Sequence, residues 1–272
     1  MSGMRLLHRY AVLVAAFTLL AILSGAWVTS TRAVPVAPTA PAKIHLAISA
    51  AAALLIIVLA MCLMFGRSRA LGWMLLAAGI SQGVLGLASA AITHAVLAQI
   101  LFAIAVMAVV CTSESWEAGP DLVFDQGWPS LRSMAVAAPV VVLAQVMLGA
   151  GFRHKAIGLT WHIVGAMVVA LTILILGMCV MQAYPQHRVL RPAAIVLLCV
   201  ALTQVLLGIT AVTTEIMAPD NAVPASVIFS TVAHVAVGAA TLAASLALAV
   251  QIRRNVQKPA EEVEEGERAA SA

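Results

Sequence analysis

The chain has 272 residues, of which 63% are hydrophobic and only 10% are charged, and its formal net charge is +4. A soluble domain needs far more polar surface, so this composition excludes a soluble globular protein and indicates an integral membrane protein. The small excess of basic residues reflects how Lys and Arg are distributed between the two sides of a membrane, as described below. It does not indicate nucleic-acid binding.

Uncharged stretches of about 20 residues, the length of a membrane-spanning helix, recur along the chain. The 44 residues between Arg69 and Glu114 carry no charge. As one helix they would extend roughly 66 Å, or two hydrocarbon thicknesses, so they are predicted to fold back once between Ala88 and Thr93. The other six spans are predicted at Tyr10–Ser30, Ile44–Phe65, Ser133–Phe152, Ala156–Met181, Ala193–Val212 and Val223–Val250. The predicted fold class is therefore all-α, with eight transmembrane helices.

The distribution of Lys and Arg predicts the orientation of these spans. If the N-terminus lies inside, the outer side holds four of these cations: Arg32, Lys43, Arg153 and Lys155. The inner side holds the other eleven: Arg5, Arg9, Arg67, Arg69, Arg132, Arg188, Arg191, Arg253, Arg254, Lys258 and Arg268. This excess obeys the positive-inside rule and predicts that both termini are cytoplasmic, in an inner or plasma membrane.

A Gln-x-x-Leu-Gly motif recurs in the third, fifth and seventh spans, at 82–86, 145–149 and 204–208. The first span has a weaker counterpart, Leu-Ser-Gly-Ala at 23–26, without the Gln. The glycines are expected to let helices approach closely, and the glutamines to bond across to a neighbouring helix. The repeat predicts two pseudo-symmetric four-helix bundles, at 1–112 and 133–252. A cytoplasmic loop at 113–132 would join them, and a disordered acidic tail would follow at 253–272.

Four of the seven histidines fall in spans, one in the outer half of each even-numbered span: His45, His94, His162 and His234. The duplication gives each bundle one pair, and facing imidazoles in a four-helix bundle are suited to clamping a haem iron. Zinc would favour three or four ligands with Cys or carboxylate. No Asp or Glu falls in the hydrocarbon part of a predicted span, which argues against a proton pump, a di-iron centre and an ion-coupled transporter. Hydrogen-bonded packing histidines are the alternative interpretation.

The four outer cations, Arg32, Lys43, Arg153 and Lys155, are candidates to meet haem propionates, or they are ordinary interfacial residues. His154 is expected to be a solvated loop residue. No specific role is expected for His8 and His187, which fall in the inner segments.

These features resemble the haem A synthase family of cytochrome oxidase assembly proteins. The resemblance rests on the Leu-Gly-Ala-Gly-Phe-Arg-His run at 148–154, the Gln-x-x-Leu-Gly repeats and the histidine on each even-numbered span. It implies that His45 and His94 bind the substrate haem O, whose methyl group is oxidised to the formyl group of haem A. It also implies that His162 and His234 bind a haem b cofactor. The implied partners are the lipid bilayer, haem, and a haem O synthase or a terminal oxidase assembly partner.

The chain departs from the family pattern beside the first histidine. The family has Glu three residues before that histidine and Arg immediately after it, whereas here these positions hold Ala42 and Leu46. A second hypothesis is therefore a non-catalytic b-type haem protein, either an electron carrier or a haem-handling oxidase assembly factor. A third hypothesis is a helical membrane protein without haem.

Overall fold

The structure is a computed structural model that describes residues 2–31, 40–66, 68–125, 129–219 and 223–258. Eight of its helices are long and apolar enough to cross a membrane, which confirms the predicted all-α multi-span fold. The helices are α1 Ser2–Ser30, α2 Ala40–Met64, α3 Arg69–Leu87, α4 Ala91–Cys111, a short α5 Glu114–Glu117, α6 Leu131–Arg153, α7 Leu159–Ala183, α8 Leu190–Ile216 and α9 Ala225–Asn255. Two short strands complete the order, β1 Val123–Phe124 and β2 Val256–Gln257.

The helices pack as two closed rings of four. In the first ring α1 to α4 contact one another in sequence order and α4 closes onto α1, and α6 to α9 do the same in the second ring. Because each ring closes in this way, α2 lies opposite α4 and α7 lies opposite α9. The rings meet where α9 contacts α1 and α4 and where α6 contacts α4. Small buried residues, including Ala105, Ala108, Ala138 and Ala239, let these central helices approach closely.

The start of α1, the end of α9 and two connections meet at one end of the molecule, which we call the terminal end. Arg5 forms an ion pair with Glu114 at 3.2 Å. Arg254 donates to the carbonyl of Trp116 at 2.6 Å and lies 3.8 Å from the centre of its ring. This common end requires an even number of crossings between α1 and α5, as the predicted turn between Ala88 and Thr93 demands. The four span histidines lie near the start of α2, α4, α7 and α9, toward the opposite end, which we call the histidine end.

Residues 121–124 of the segment predicted as a connecting loop at 113–132 pack against the end of α9. Strand β1 pairs in parallel with β2, so that Val123 lies opposite Val256. The backbone N–H of Asp121 donates to Asn255 Oδ1 at 2.7 Å. The expectation that a disordered tail begins at 253 is therefore wrong for 253–257, because these residues find partners in the connection. Residues 259–272, which carry the acidic part of the tail, lie outside the described residues.

His187, for which no role was expected, joins two connections at the terminal end. Its side chain is buried, and its Nε2 donates to the carbonyl of Asp121 at 2.9 Å. Its Nδ1 accepts from the backbone N–H groups of Val189 and Leu190, each at 3.2 Å, and so satisfies donors at the start of α8. His8 also has a partner, since its Nδ1 lies 3.2 Å from Thr112 Oγ1. Both roles depend on contacts between distant segments, which the local sequence pattern does not reveal.

Candidate functional site

Each span histidine lies against a glycine of the helix that precedes it. A Cβ atom added to that glycine would stand about as close to the imidazole Cε1 as real Cβ contacts ever come, or closer. The distances from this added Cβ to Cε1 are 3.0 Å for Gly25 and His45, 3.1 Å for Gly86 and His94, 3.0 Å for Gly149 and His162, and 2.9 Å for Gly208 and His234. The glycines of the repeated motif therefore make room for an imidazole. This contact with a ring of the neighbouring helix is more specific than the general close approach of helices that the sequence predicted.

We call each such arrangement a histidine seat, consisting of the glycine, the residue four positions before it and the histidine. The seats occupy the four helical hairpins α1–α2, α3–α4, α6–α7 and α8–α9. The sequence repeat relates two halves of the chain, but the structure repeats a smaller unit, the helical hairpin, four times. The Leu-Ser-Gly-Ala segment of α1 completes this set, because it forms a seat although it has no Gln of its own.

A helix carbonyl orients the ring in two seats of the same construction. Nδ1 of His94 lies 3.2 Å from the carbonyl oxygen of Gln82, and Nδ1 of His234 lies 3.2 Å from that of Gln204. Because a carbonyl can only accept, these rings carry their proton on Nδ1, and their Nε2 atoms bear the lone pair. The identical bonding agrees with the predicted correspondence between His94 and His234.

In the seat of His45 the ring proton also lies on Nδ1, but its acceptor is a hydroxyl instead of a carbonyl. Nδ1 of His45 lies 2.9 Å from Ser24 Oγ, which in turn donates to the carbonyl of Ala21 at 3.0 Å. Ala21 occupies the position that Gln holds in the other three seats. Ser24 is thus a site residue that the motif comparison missed, because it has no counterpart in the other seats.

The glutamine side chains bond across to the neighbouring helix, as the sequence predicted. Gln82 Nε2 lies 3.3 Å from His94 Nε2, and Gln204 Nε2 lies 3.4 Å from His234 Nε2. The amide oxygens of Gln82, Gln145 and Gln204 are buried and have no hydrogen-bond partner among the described residues. An unpaired buried oxygen of this kind costs about 1–3 kcal/mol.

The seat of His162 departs from the other three. Gln145 Nε2 donates to His162 Nδ1 at 3.0 Å and to the carbonyl of His162 at 2.8 Å. Because an amide N–H only donates, Nδ1 is here an acceptor and the neutral ring carries its proton on Nε2. The ring also stacks on Phe152, with centroids 6.2 Å apart and planes 10° apart.

His162 and His234 come together from opposite helices of the second ring. Their ring centroids are 6.1 Å apart and their planes are nearly perpendicular, at 88°. Metal–imidazole bonds are about 2 Å long, so two imidazoles on opposite sides of one metal have centroids about 6 Å apart. In the first ring, His45 and His94 extend from opposite helices and lie within electrostatic range of each other.

Of the four propionate candidates, Arg153 on α6 of the second ring forms hydrogen bonds with α1 of the first ring. Its guanidinium donates to the carbonyl of Ala26 at 2.8 Å and to the hydroxyls of Thr29 and Ser30 at 2.6 and 2.7 Å. Lys43 and Lys155 are exposed, and Arg32 lies outside the described residues.

His154 differs from the expected solvated residue, because it is half-buried at the end of α6. Burial, and secondly the charge of Arg153, hold the pKa of His154 below its ordinary value. Helix α8 runs further than predicted and includes Glu215 in its last turn, where its charge acts on Arg153. The predicted span ends at Val212, and the sequence pattern assigns Glu215 no role.

Among the described residues, no three or more His, Cys, Asp or Glu side chains converge where they could hold a bare metal ion. No protein-family model, no curated protein and no solved structure matches the chain.

Proposed function

We propose that this protein binds haem between paired histidines at the histidine end of its two helical rings. The observation that supports this most strongly is the spacing of His162 and His234, whose ring centroids are 6.1 Å apart. Two imidazoles that held a single iron between them would have about this spacing, and His162 would bind through Nε2 only once its proton had moved to Nδ1 and the bond from Gln145 had been replaced.

The construction of the seats also supports a ligand-binding role. Second-shell bonds that fix the ring proton of a histidine are a regular feature of metal-binding imidazoles. His45, His94 and His234 have such a bond from Nδ1, so their lone pair lies on Nε2. In His94 and His234 a ligand at Nε2 would replace the bond from the Gln82 or Gln204 side chain. A histidine that only filled space would not need a glycine at every seat.

We infer further that the protein is an oxidoreductase of the haem A synthase type. In this proposal His45 and His94 bind haem O, whose methyl group is oxidised to a formyl group, and His162 and His234 bind a haem b. The bound haem b would supply electron transfer in an apolar surrounding. The chain itself holds and orients the ligand nitrogens.

A specific observation favours a second candidate, a non-catalytic b-type haem protein. Ala42 lies in the first turn of α2, one turn before His45, where the resembled family has Glu. A methyl group can neither move a proton nor stabilise a developing charge. In this alternative both pairs hold haem, and the protein carries electrons or handles haem for oxidase assembly.

The proposal includes a location in an inner or plasma membrane, with the terminal end on the cytoplasmic side. The eleven inner Lys and Arg residues against four outer ones support this orientation.

Expression in a host that makes haem O but lacks its own haem A synthase separates the two candidates. The enzyme proposal predicts that haem A accumulates with the wild-type chain and not with His45→Ala or His94→Ala. Purified protein that contains haem b, from cells in which haem O accumulates and no haem A is formed, would instead support the non-catalytic candidate. Purified protein without any haem would contradict both.

A further inference from the structure

Arg153 joins the two helical rings at the histidine end. It is the last residue of α6 in the second ring, and all four of its hydrogen bonds described here reach α1 of the first ring. One guanidinium nitrogen donates to the carbonyl of Ala26, and the same group bonds the hydroxyls of Thr29 and Ser30. Ser30 Oγ also donates to the carbonyl of Ala26 at 2.7 Å, so the contact forms a closed network.

The part of α1 that Arg153 bonds directly follows the residues that contact the ring of His45. Ser24 and Gly25, which bond and support the His45 ring, immediately precede Ala26, the first residue that Arg153 holds. The carboxyl end of a helix carries a partial negative charge, which a guanidinium at that end stabilises. Arg153 therefore determines where the last turn of α1 lies relative to α6.

On its own helix, α6, Arg153 lies next to residues that contact the ring of His162. Gly149, which supports the His162 ring, lies one helical turn before Arg153 on α6. Phe152, which stacks on that ring, is the adjacent residue. The charge of Arg153 also acts on His234, the partner of His162.

We propose that Arg153 is a positioning residue that couples the two histidine pairs, because it fastens the helix end that seats His45 to the helix end that seats His162. Two nitrogens of the planar guanidinium, Nε and Nη2, both donate to Thr29, and Nη2 also reaches the Ala26 carbonyl and the Ser30 hydroxyl. The single ammonium nitrogen of Lys cannot reproduce this paired geometry. The coupling between haem sites rests on the proposed function, but the fastening of α1 to α6 does not.

Hydrogen–deuterium exchange of the full chain in detergent tests the fastening without reference to haem. Arg153→Gln should raise amide exchange in a peptide covering 24–31 by about tenfold or more, because the charge-assisted bonds that hold this turn are lost. Arg153→Lys should give an intermediate increase. Lys155→Gln is the matched control, because it removes an exposed cation two residues further along, between α6 and α7. It should leave the amide exchange of that peptide unchanged.

If Arg153→Gln does not accumulate, Arg153→Lys carries the same test against the wild type. Unchanged exchange at 24–31 in the variant that is measured would overturn the proposal. These results are independent of any pigment, so they would stand or fall even if the wild-type protein held no haem.

A spectroscopic readout tests the coupling itself and is not moved by loss of stability alone. The signals of the two pairs are first assigned with His45→Ala and His162→Ala. Arg153→Gln should then shift the midpoint potential or low-spin resonance of the His45–His94 signal, although Arg153 belongs to the other ring, and Arg153→Lys should restore part of the shift. A shift confined to the His162–His234 signal would show a purely local effect of charge and would overturn the coupling.

Discussion

The glycine of each seat is the residue on which the position of the imidazole depends most directly. Gly208→Ala would place a Cβ 2.9 Å from Cε1 of His234, so the ring must move. Overpacking of this kind costs about 1–3 kcal/mol. We expect Gly208→Ala to reduce haem bound by His234 and to lower the thermal stability of the purified protein.

Gly83→Ala on α3 is the matched control for this substitution, because an added Cβ there meets nothing within 4 Å. Alanine is also a better helix former than glycine by about 1 kcal/mol, so this control should be neutral or stabilising. Equal behaviour of the two variants would show that the glycine seats do not position the histidines.

The differing bonds of His162 and His234 predict different sensitivity to loss of the Gln side chain. Nδ1 of His234 is held by a backbone carbonyl that remains after Gln204→Ala, whereas Nδ1 of His162 is held by the side chain of Gln145 itself. Gln145→Ala should therefore broaden or shift the low-spin haem signal more than Gln204→Ala does. A larger effect of Gln204→Ala would contradict the assigned bonding.

At this scale the sequence predicted the four histidines and the interhelical bonding of the glutamines, but only part of the seats. The role of Gly208 depends on the register between α8 and α9 and on the rotamer of a ring from the other helix. Neither quantity is encoded by the local pattern around the glycine. Ser24 escaped notice for the same reason, since it acts where the motif has lost its Gln.

Among the elements, hydrophobic length and charge predicted all eight long helices and the turn between α3 and α4. The ends were less well predicted, because α6 and α8 continue through Arg153 and Glu215, whose charges act on each other at the histidine end. The pairing of β1 with β2 joins two-residue strands more than a hundred positions apart. No periodic signal arises from so short a strand.

The start of α8 offers a test that separates structural histidines from ligand histidines. His187→Ala removes the acceptor for two backbone N–H groups and the donor to Asp121. Loss of a helix cap costs about 0.5–2 kcal/mol, so the melting temperature should fall while the haem spectrum stays the same. The exposed neighbour Gln186→Ala should change neither. Loss of haem in His187→Ala, with the fold intact, would give this residue a role that the structure does not suggest.

For the whole molecule, the contacts of the start of α1 and the end of α9 with the short helix α5 make the topology testable. Single cysteines replacing Val36, Ser115 and Asn221 can be labelled with an impermeant thiol reagent in intact cells. We expect labelling at positions 36 and 221, on the outer side by the distribution of Lys and Arg, and not at 115. The unsubstituted chain, with its four native cysteines, provides the background. Labelling at 115 without labelling at 36 would show that the chain has the opposite orientation in the membrane.

The central claim is that His162 and His234 hold one haem iron between them, and the pigment of the purified protein tests it most directly. The measurement is the reduced-minus-oxidised absorption spectrum, with haem identified after extraction, for the wild type, His162→Ala, His234→Ala and the control His187→Ala. We expect a low-spin b-type signal in the wild type and in His187→Ala that is lost when either His162 or His234 is replaced. A wild-type protein without haem, or an unchanged spectrum in both ligand variants, would contradict it.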